Sequence, residues 1–339
     1  MDQHTILPLG KLPPDLLEKM LSKAPSHDPR VILGPGIGLD CAVLDVGESL
    51  LVLKTEPITF VTDAIGWYAL QIAANDIATT GAAPRWYMAT LLLPERRTTP
   101  ALVEEISSQA YQACRELGVT IIGGHTEITY GLDRPIMVGT LIGEVSREKL
   151  ITPLGARPGD RVLLTKGVPV EATAILAREF PQRLENAFTA EEVCAAQNFL
   201  YQPGISVLRD AQIAVAAGNV TAMHDPTEGG LAAALWEMAQ ACGHTIIFDP
   251  RQVKIPALSG RICRLFGLDP LATIASGALL ITAPPQDAQA ISAALQHASI
   301  DCAEIGLVAE GAPEVRVAGE GERSLLPRPM RDEITKVYE

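Results

Sequence analysis

The segment His224-Asp-Pro-Thr-Glu-Gly-Gly230 lies between a strand-like run that ends near residue 224 and a helix-like run that starts near residue 228. Its glycines allow the backbone to approach a phosphate closely and to offer free N–H groups, and Asp225 supplies the oxygen ligands that Mg²⁺ prefers. An Asp at this point also suits the N-cap of a helix. By itself, the segment leaves a phosphate and magnesium site and an ordinary capped turn both open.

Two segments of the same kind occur earlier in the chain. Gly36-Ile-Gly-Leu-Asp40 precedes a short strand-like run, and Asn75-Asp76 lies within a helical pattern. The closely spaced glycines are not followed by a helix, so a dinucleotide-binding loop is excluded, and the chain has neither a Walker-type phosphate loop nor the kinase motifs. Together the three segments predict a nucleotide phosphate site of another kind, built around Asp40, Asp76 and Asp225.

A fourth segment, Gly123-Gly-His-Thr-Glu127, follows the apolar run that begins at Val119. We expect it to close a strand, and polar groups where a buried strand should continue apolar are typical of a functional site. The alternative is a satisfied buried His125 beside a surface Glu127. Lys166 ends another strand-like run, where it could reach a phosphate or simply be an exposed lysine.

The chain divides at the turn-rich segment Thr152-Pro-Leu-Gly-Ala-Arg-Pro-Gly-Asp160. A chain of 339 residues exceeds what one hydrophobic core usually supports, so we expect two domains, 1–150 and 151–339. Strand-like and helix-like runs alternate in both without the regular repeat of a barrel enzyme. The pattern predicts an α/β protein whose sheets are covered on one side by helices.

Composition excludes several classes of protein. The net charge is −13 and no dense cluster of Lys and Arg occurs, so a nucleic-acid partner is not expected. No apolar run approaches the roughly 18 residues of a membrane-spanning helix. The N-terminus lacks the order of a signal peptide, and the six cysteines are scattered without a C-x-x-C pair. We therefore expect a cytoplasmic protein with reduced thiols.

From about residue 30 to 310 the chain resembles the AIR synthase superfamily, and within it the hydrogenase expression/formation (HypE) branch. The resemblance rests on G-x-D-x-A-V at 38–43, N-D-I-A…G-A-x-P at 75–84, G-G-H-T-E at 123–127, T-P-L-G-A-R-P-G-D at 152–160, H-D-P-T-E-G-G at 224–230 and S-G-A-L-L at 276–280. It implies a two-domain PurM-like α/β fold. The first domain would pair across a homodimer into a β-barrel, the second would be an α/β sandwich, and ATP with Mg²⁺ would lie near the dimer interface.

The resemblance also assigns roles by position. Asp40, Asp76 and Asp225 would be catalytic through charge neutralisation, and together with Glu56 they would hold Mg²⁺. Glu56 stands where family members usually carry Asp, and its longer side chain shifts the geometry. Nucleotide binding would fall to Gly38, Asn75, Gly123, Gly124, His125, Thr126, Glu127, Lys166, Gly229 and Gly230.

In this superfamily ATP activates an amide or carbonyl oxygen by phosphorylation, or passes phosphate to an acceptor. Here the acceptor would be an unidentified small molecule or a group on another protein. HypE proteins end in a cysteine that carries the reacting carbamoyl group, whereas the last cysteine of this chain is Cys302, so we expect its chemistry to depart from the usual HypE form. The alternatives are a phosphotransferase that resembles thiamine-monophosphate kinase and a catalytically inactive nucleotide-binding scaffold. Selenophosphate synthetase is disfavoured because its reactive N-terminal cysteine is absent before Gly34.

Overall fold

The computed structural model describes residues 6, 7, 9–25, 28–319 and 324–339. The elements of the first half are α1 (Pro14–Leu21), β1 (Val31–Leu33), β2 (Ala42–Asp45), β3 (Leu50–Ile58), α2 (Ile65–Thr79), β4 (Ala83–Pro94), α3 (Pro100–Leu117), β5 (Thr120–Thr129) and β6 (Ile136–Val145). Those of the second half are β7 (Arg161–Thr165), α4 (Val170–Glu179), α5 (Pro181–Glu185), α6 (Ala190–Gln197), α7 (Leu208–Ala217), β8 (Ala222–His224), α8 (Gly230–Cys242), β9 (Thr245–Phe248), α9 (Ala257–Phe266), β10 (Leu280–Ala283), α10 (Pro285–His297), β11 (Cys302–Ala309), β12 (Val315–Val317) and β13 (Ser324–Leu325). Short 3₁₀ helices lie at Arg147–Lys149, Pro153–Gly155, Asn198–Leu200, Pro250–Gln252 and Glu333–Val337.

The first half folds into one six-stranded sheet in the order β1-β2-β3-β6-β4-β5. The β4–β5 pair is parallel, with α3 as its crossover, and the other neighbours are antiparallel. Helix α3 begins where the Thr99 hydroxyl accepts a hydrogen bond from the Leu102 N–H, and it ends at Gly118 in the left-handed conformation. The proline at its start and the glycine past its end predict a helix over 100–117 from the sequence, and these local signals explain why the prediction is correct.

Helix α2 is unlike α3, because every residue except Trp67 is buried. The helix packs against β3 and β6 of its own sheet and against α7 and β8 of the second half. A helix that is covered all round needs apolar residues on every face, which accounts for its weak amphipathic pattern. Its buried polar residues, Asn75 and Asp76 among them, therefore lie at the junction of the two halves.

The second half forms a seven-stranded sheet in the order β13-β12-β9-β11-β7-β10-β8. Helix α8 packs on one face against Val162 and Leu164, whereas α7 and α10 pack on the other face against Leu163. The expectation of a sheet covered on one side is wrong here. The central strands are nearly continuous apolar runs, which is typical of strands buried on both faces.

The predicted starts of one helix and one strand in the second half are also wrong, because contacts with distant segments of the chain override the local pattern. The sequence pattern predicts a helix over 203–217, but α7 begins at Leu208, because the backbone of Ile205 and Val207 hydrogen-bonds to Asn75 instead of to a helical neighbour. The pattern also predicts a strand over 274–282, but β10 begins at Leu280. Before it, Gly277 turns the chain at φ +105° and the Ser276 N–H donates to the Glu171 carboxylate.

Among the residues that the structure describes, none of the helices has both the length and the apolar character needed to cross a membrane.

Candidate active site at the junction of the two halves

Four carboxylates from separate parts of the chain meet at the junction, and we call Asp40, Glu56, Asp76 and Asp225 the acidic cluster. Asp40 precedes β2, Glu56 lies on β3, Asp76 on α2, and Asp225 directly follows β8. Asp76 and Asp225 are buried, and Asp40 and Glu56 are half-buried. The structure therefore brings together all four side chains that the sequence indicates as Mg²⁺ ligands.

The Lys54 ammonium lies among three of these carboxylates. Its Nζ is 3.1 Å from Glu56 Oε2, 3.2 Å from Asp76 Oδ2 and 4.0 Å from Asp40 Oδ1. Burial disfavours the charged ammonium, but the surrounding carboxylates outweigh it and raise the pKa of Lys54 well above its usual value. Lys54 is thus a charged, internal partner of the cluster.

His224 holds Asp40 from the other side. Its Nδ1 is 2.9 Å from Asp40 Oδ2, and its Nε2 is 3.0 Å from Glu237 Oε2 on α8. Burial would lower the pKa of His224, but the two carboxylates reverse this effect and raise it well above the ordinary value. A protonated His224 orients Asp40, and with Lys54 it keeps the pKa of Asp40 low against the effect of burial.

Asp225 has no such support. Neither of its carboxylate oxygens has a hydrogen-bond partner among the described residues. Burial, followed by the nearby Asp40 charge, raises the pKa of Asp225 to about 6. Asp225 does not cap α8, whose N-cap is Gly229 with no side-chain cap. The helix-cap interpretation of this residue is therefore wrong.

These unpartnered oxygens fit a divalent cation. Asp40, His224 and Asp225 each offer one metal-ligating atom, and these three atoms lie within 4.8 Å of one another. Hard carboxylate oxygens are the ligands that Mg²⁺ prefers, and buried oxygens without donors favour a bound cation. Because His224 is engaged by two carboxylates, Asp40 and Asp225 are the residues best suited to hold the ion.

Two glycines allow this geometry. Gly38 has φ +72°, and a Cβ there would lie 2.7 Å from the Glu237 carbonyl oxygen, so the Asp40 loop could not pack on α8 with a larger residue. Gly230 has φ +61°, and a Cβ there would lie 2.7 Å from two carbonyl oxygens. Both positions need glycine for close packing around the cluster, which is the physical reason for these two motifs.

A cleft of about 660 Å³ opens beside the cluster, within the size range of small-molecule sites. The wall beside the cluster contains residues 35–40, Lys54 and Glu56. Leu17 and Leu21 of α1 give an apolar wall, and residues 328–332 form a further side with two arginines. The cleft thus combines Asp40 and Glu56 of the acidic cluster with an apolar surface and cationic side chains.

The nucleotide residues expected on the Gly123–Glu127 segment lie elsewhere. The segment does not close a strand, because β5 continues through it to Thr129 and is exposed along nearly all its length. His125 is exposed rather than buried, and its Nε2 is 3.4 Å from Glu127 Oε2. Gly123, Gly124, His125 and Thr126 line a separate cleft of about 240 Å³. Within one chain the structure does not bring them to the acidic cluster.

Asn75 and Lys166 also face other partners. The Asn75 amide donates to the Ile205 carbonyl (2.7 Å) and accepts from the Val207 N–H (2.8 Å), so it clamps α2 to the second half. Lys166 is buried rather than exposed at its strand end. It pairs with Asp210 at 3.1 Å and lines a different cavity of about 540 Å³. Of the expected glycines, Gly38 and Gly229 do line the cleft of the cluster.

Three functional-site residues escaped the sequence analysis: Lys54, His224 and Glu237. Lys54 had a usable signal, because residues i and i+2 of a strand share a face and so place it beside Glu56. His224 stands next to Asp225 in the segment 224–230, so its position beside a candidate ligand was a usable signal. Glu237 had none, since its contact with His224 depends on how α8 packs.

The chain combines a two-sheet α/β fold with glycine–aspartate segments that bring Asp40 and Asp225 together. Family models of the AIR synthase related proteins match the chain twice, the N-terminal domain over residues 38–145 and the C-terminal domain over residues 157–318. The chain therefore belongs to the AIR synthase related family.

Within this family the chain is similar to carbamoyl dehydratase HypE. The HypE of Cupriavidus necator is 31% identical over 71% of this chain and 66% of its own length. That of Bradyrhizobium diazoefficiens is 31% identical over 79% of this chain and 77% of its own length. A crystal structure of the hydrogenase maturation protein HypE in complex with ATP is 26% identical, with a TM-score of 0.71 over 89% of this chain and 90% of the other. These comparisons support an ATP-dependent enzyme of the AIR synthase superfamily.

Proposed function

We propose that this protein binds ATP with Mg²⁺ in the cleft beside the acidic cluster and uses it in HypE-like chemistry. In that chemistry ATP activates an amide or carbonyl oxygen, or gives phosphate to an acceptor. The reaction would serve the maturation of a hydrogenase or of a metallocofactor. The observation that carries the proposal is Asp225, a buried carboxylate whose two oxygens have no hydrogen-bond partner among the described residues and which lies beside Asp40, a residue that lines the cleft. The similarity to a HypE that was crystallised with ATP supports the same assignment.

The residues of the chain would act by charge and position. Asp40 and Asp225 would hold Mg²⁺, which when bound neutralises the phosphate charge of the nucleotide. His224 orients Asp40, and Lys54 balances the remaining carboxylates. The adjacent Cys41 is not suited to be a nucleophile, because it is buried, its pKa is raised by burial, and its thiol contacts the Asp76 carbonyl oxygen.

We further propose that the active form is a homodimer that pairs through β5. This strand is an edge of its sheet and exposes Ile121, Ile122 and Ile128. A long, exposed apolar edge strand favours pairing with another chain. A partner on β5 would cover the Gly123–Glu127 segment and bring a second chain to it, as the resemblance implies for the dimer.

The oligomeric state can be tested with Ile128→Asp. The expected result is a dimer for the unaltered chain and a monomer for the variant, measured by light scattering after size-exclusion chromatography. Leu154→Asp, at an exposed apolar position in the second half, is the control and should leave the dimer intact. A monomeric unaltered chain at micromolar concentration contradicts the dimer.

The function is tested by calorimetric titration with ATP, with and without Mg²⁺, followed by assays of ATP turnover. We expect Mg²⁺-dependent binding of about one ATP per chain, since each chain has one acidic cluster. ADP formation that depends on a small phosphate ester would instead indicate a kinase-like phosphotransferase. Binding without turnover in the presence of small-molecule and protein acceptors would indicate a scaffold. Absence of binding under both conditions would contradict the proposal.

A further inference from the structure

We propose that Lys54 is a built-in cation of the acidic cluster, which fills one part of the metal site and limits the chain to a single divalent ion on the Asp40–Asp225 side. The inference rests on the proposed function for the identity of the ion, and it adds how many ions bind and where.

The cluster divides into two parts that share Asp40. Glu56 and Asp76 belong to one part, where the Lys54 ammonium lies 3.1 and 3.2 Å from their oxygens. Asp225 belongs to the other part, and the close ion pairs of Lys54 are with Asp40, Glu56 and Asp76 rather than with it. Asp40 joins the two, because Oδ1 faces Lys54 and Oδ2 faces His224.

A second ion cannot share the Lys54 part. Mg²⁺ binds oxygen at about 2.0–2.1 Å and keeps several waters, so it would need the volume that the ammonium occupies. Two cations within a few ångströms of each other also repel strongly in a buried environment. By contrast, the Asp225 oxygens have no hydrogen-bond partner in the part of the chain that the structure describes, so an ion bound to them displaces no donor from that carboxylate.

Glu56 supports the same interpretation. Lys54 and Glu56 are two residues apart on β3 and therefore share one face of the strand. The Glu56 carboxylate reaches the ammonium of its neighbour, an ion pair with 13% and 29% of the two side chains exposed. The two residues thus form a unit in which Glu56 is engaged by a lysine instead of being free for a metal.

The number of bound ions can be measured directly with Mn²⁺ as a spectroscopic substitute for Mg²⁺. The full-length protein, without nucleotide, is titrated with Mn²⁺ and the bound ion is counted by electron paramagnetic resonance. We expect one Mn²⁺ per chain for the unaltered protein. Lys54→Met should bind two, with spin–spin broadening because the ions are close together. Two ions, or none, in the unaltered protein would overturn the proposal.

The matched control is Lys11→Met. Lys11 lines the same cleft, but its Nζ contacts Thr227 Oγ1 at 3.1 Å and is 3.9 Å from Glu237, outside the acidic cluster. This variant should still bind one Mn²⁺. If Lys11→Met and Lys54→Met bind the same number of ions, the role assigned to Lys54 is wrong.

Thermal unfolding provides a second measurement that does not depend on activity. Without divalent ions, Lys54→Met removes the ammonium from among three carboxylates, so its Tm in EDTA should fall by several degrees, and Mg²⁺ should raise it more than it raises that of the unaltered protein. Lys54→Arg keeps the charge and should behave like the unaltered protein in both experiments, which covers the case in which Lys54→Met does not fold. A Lys54→Arg protein that binds two ions would contradict the proposal. ATP titration of the unaltered protein separates the two hypotheses, because failure to bind ATP contradicts the proposed function and leaves a one-ion result intact.

Discussion

The acidic cluster and strand β5 are both glycine-rich and polar in sequence, yet the fold treats them in opposite ways. The cluster is enclosed between the two halves, where Asp76 and Asp225 are almost inaccessible to solvent. Strand β5 lies at the edge of its sheet, and His125 makes only an exposed contact with Glu127. The cluster is therefore complete in one chain, whereas β5 has polar groups and an unpaired edge without a partner in the described residues.

The difference shows how burial changes the meaning of a polar residue. A buried carboxylate without a donor carries a large desolvation cost, so its presence at Asp225 points to a ligand. An exposed histidine–glutamate pair costs almost nothing, and by itself it points to no ligand. The four predictions that follow test this contrast, beginning with the largest expected effect.

Asp225→Asn should weaken Mg²⁺-dependent ATP binding by at least about 100-fold, equivalent to roughly 2.7 kcal/mol. The amide keeps the size of the side chain but removes the charge and one ligand oxygen from the cluster. Calorimetric titration measures the change, and Glu104→Gln on the exposed face of α3 is the control. An affinity equal to that of the unaltered chain would show that the cluster is not the nucleotide site.

Glu171→Gln should change how stability depends on pH. Burial raises the pKa of Glu171 from its ordinary 4.5 to about 7, although the Ser276 N–H partly offsets it. Between these two pKa values the folded state binds the proton more tightly than the unfolded state. The free energy of unfolding therefore falls as pH rises through this window, by about 2 to 3 kcal/mol from this group.

The variant lacks this titrating carboxyl group, so its free energy of unfolding should fall less between pH 5 and pH 8 than that of the unaltered chain. Urea denaturation at both pH values measures the difference, with Glu104→Gln as the exposed control. Glu171 lines a small cavity with Glu56 and Glu228, so the result reports on the environment beside the cluster. Parallel pH profiles for the two proteins would mean that this interior is better hydrated than the packing indicates.

Asn75→Ala should destabilise the fold by about 2 kcal/mol, because it leaves a buried carbonyl and a buried N–H without partners. Asn219→Ala, at an exposed position, is the control for urea denaturation. Mg²⁺-dependent ATP binding should be nearly unchanged, since the Asn75 side chain faces the backbone of the second half. A large loss of ATP affinity with an unchanged free energy of unfolding would instead indicate that Asn75 belongs to the nucleotide site.

His125→Ala should have the smallest effect, with the free energy of unfolding of the isolated chain unchanged within about 0.5 kcal/mol. The histidine is exposed and its only ion pair among the described residues is with Glu127. Denaturation of the variant in the monomeric Ile128→Asp background measures this. A loss above 1 kcal/mol in the same background would contradict the exposed position of β5.

Much of the fold followed from local signals in the sequence. The sequence predicts helices over 100–117 and 257–266, which are the bounds of α3 and α9, because their ends depend on residues such as Thr99, Gly118 and Gly267 that act within one turn of the helix. The segments that combine glycine with aspartate likewise pointed to Asp40, Asp76 and Asp225, because three such segments in one chain are harder to explain as ordinary turns than one alone. Family resemblance then supplied the two-domain α/β architecture that the structure has.

Only the tertiary structure decided which polar residues share the site. Asn75 and Asp76 are neighbours in sequence, but successive residues of a helix point about 100° apart, so one clamps the second half and the other joins the cluster. Lys166 and β5 carry the residue types expected of a phosphate site. However, Lys166 pairs with Asp210, and β5 faces solvent. Lys54, His224 and Glu237 meet the carboxylates through contacts between distant segments, and such contacts depend on the packing of whole sheets and helices rather than on any local pattern.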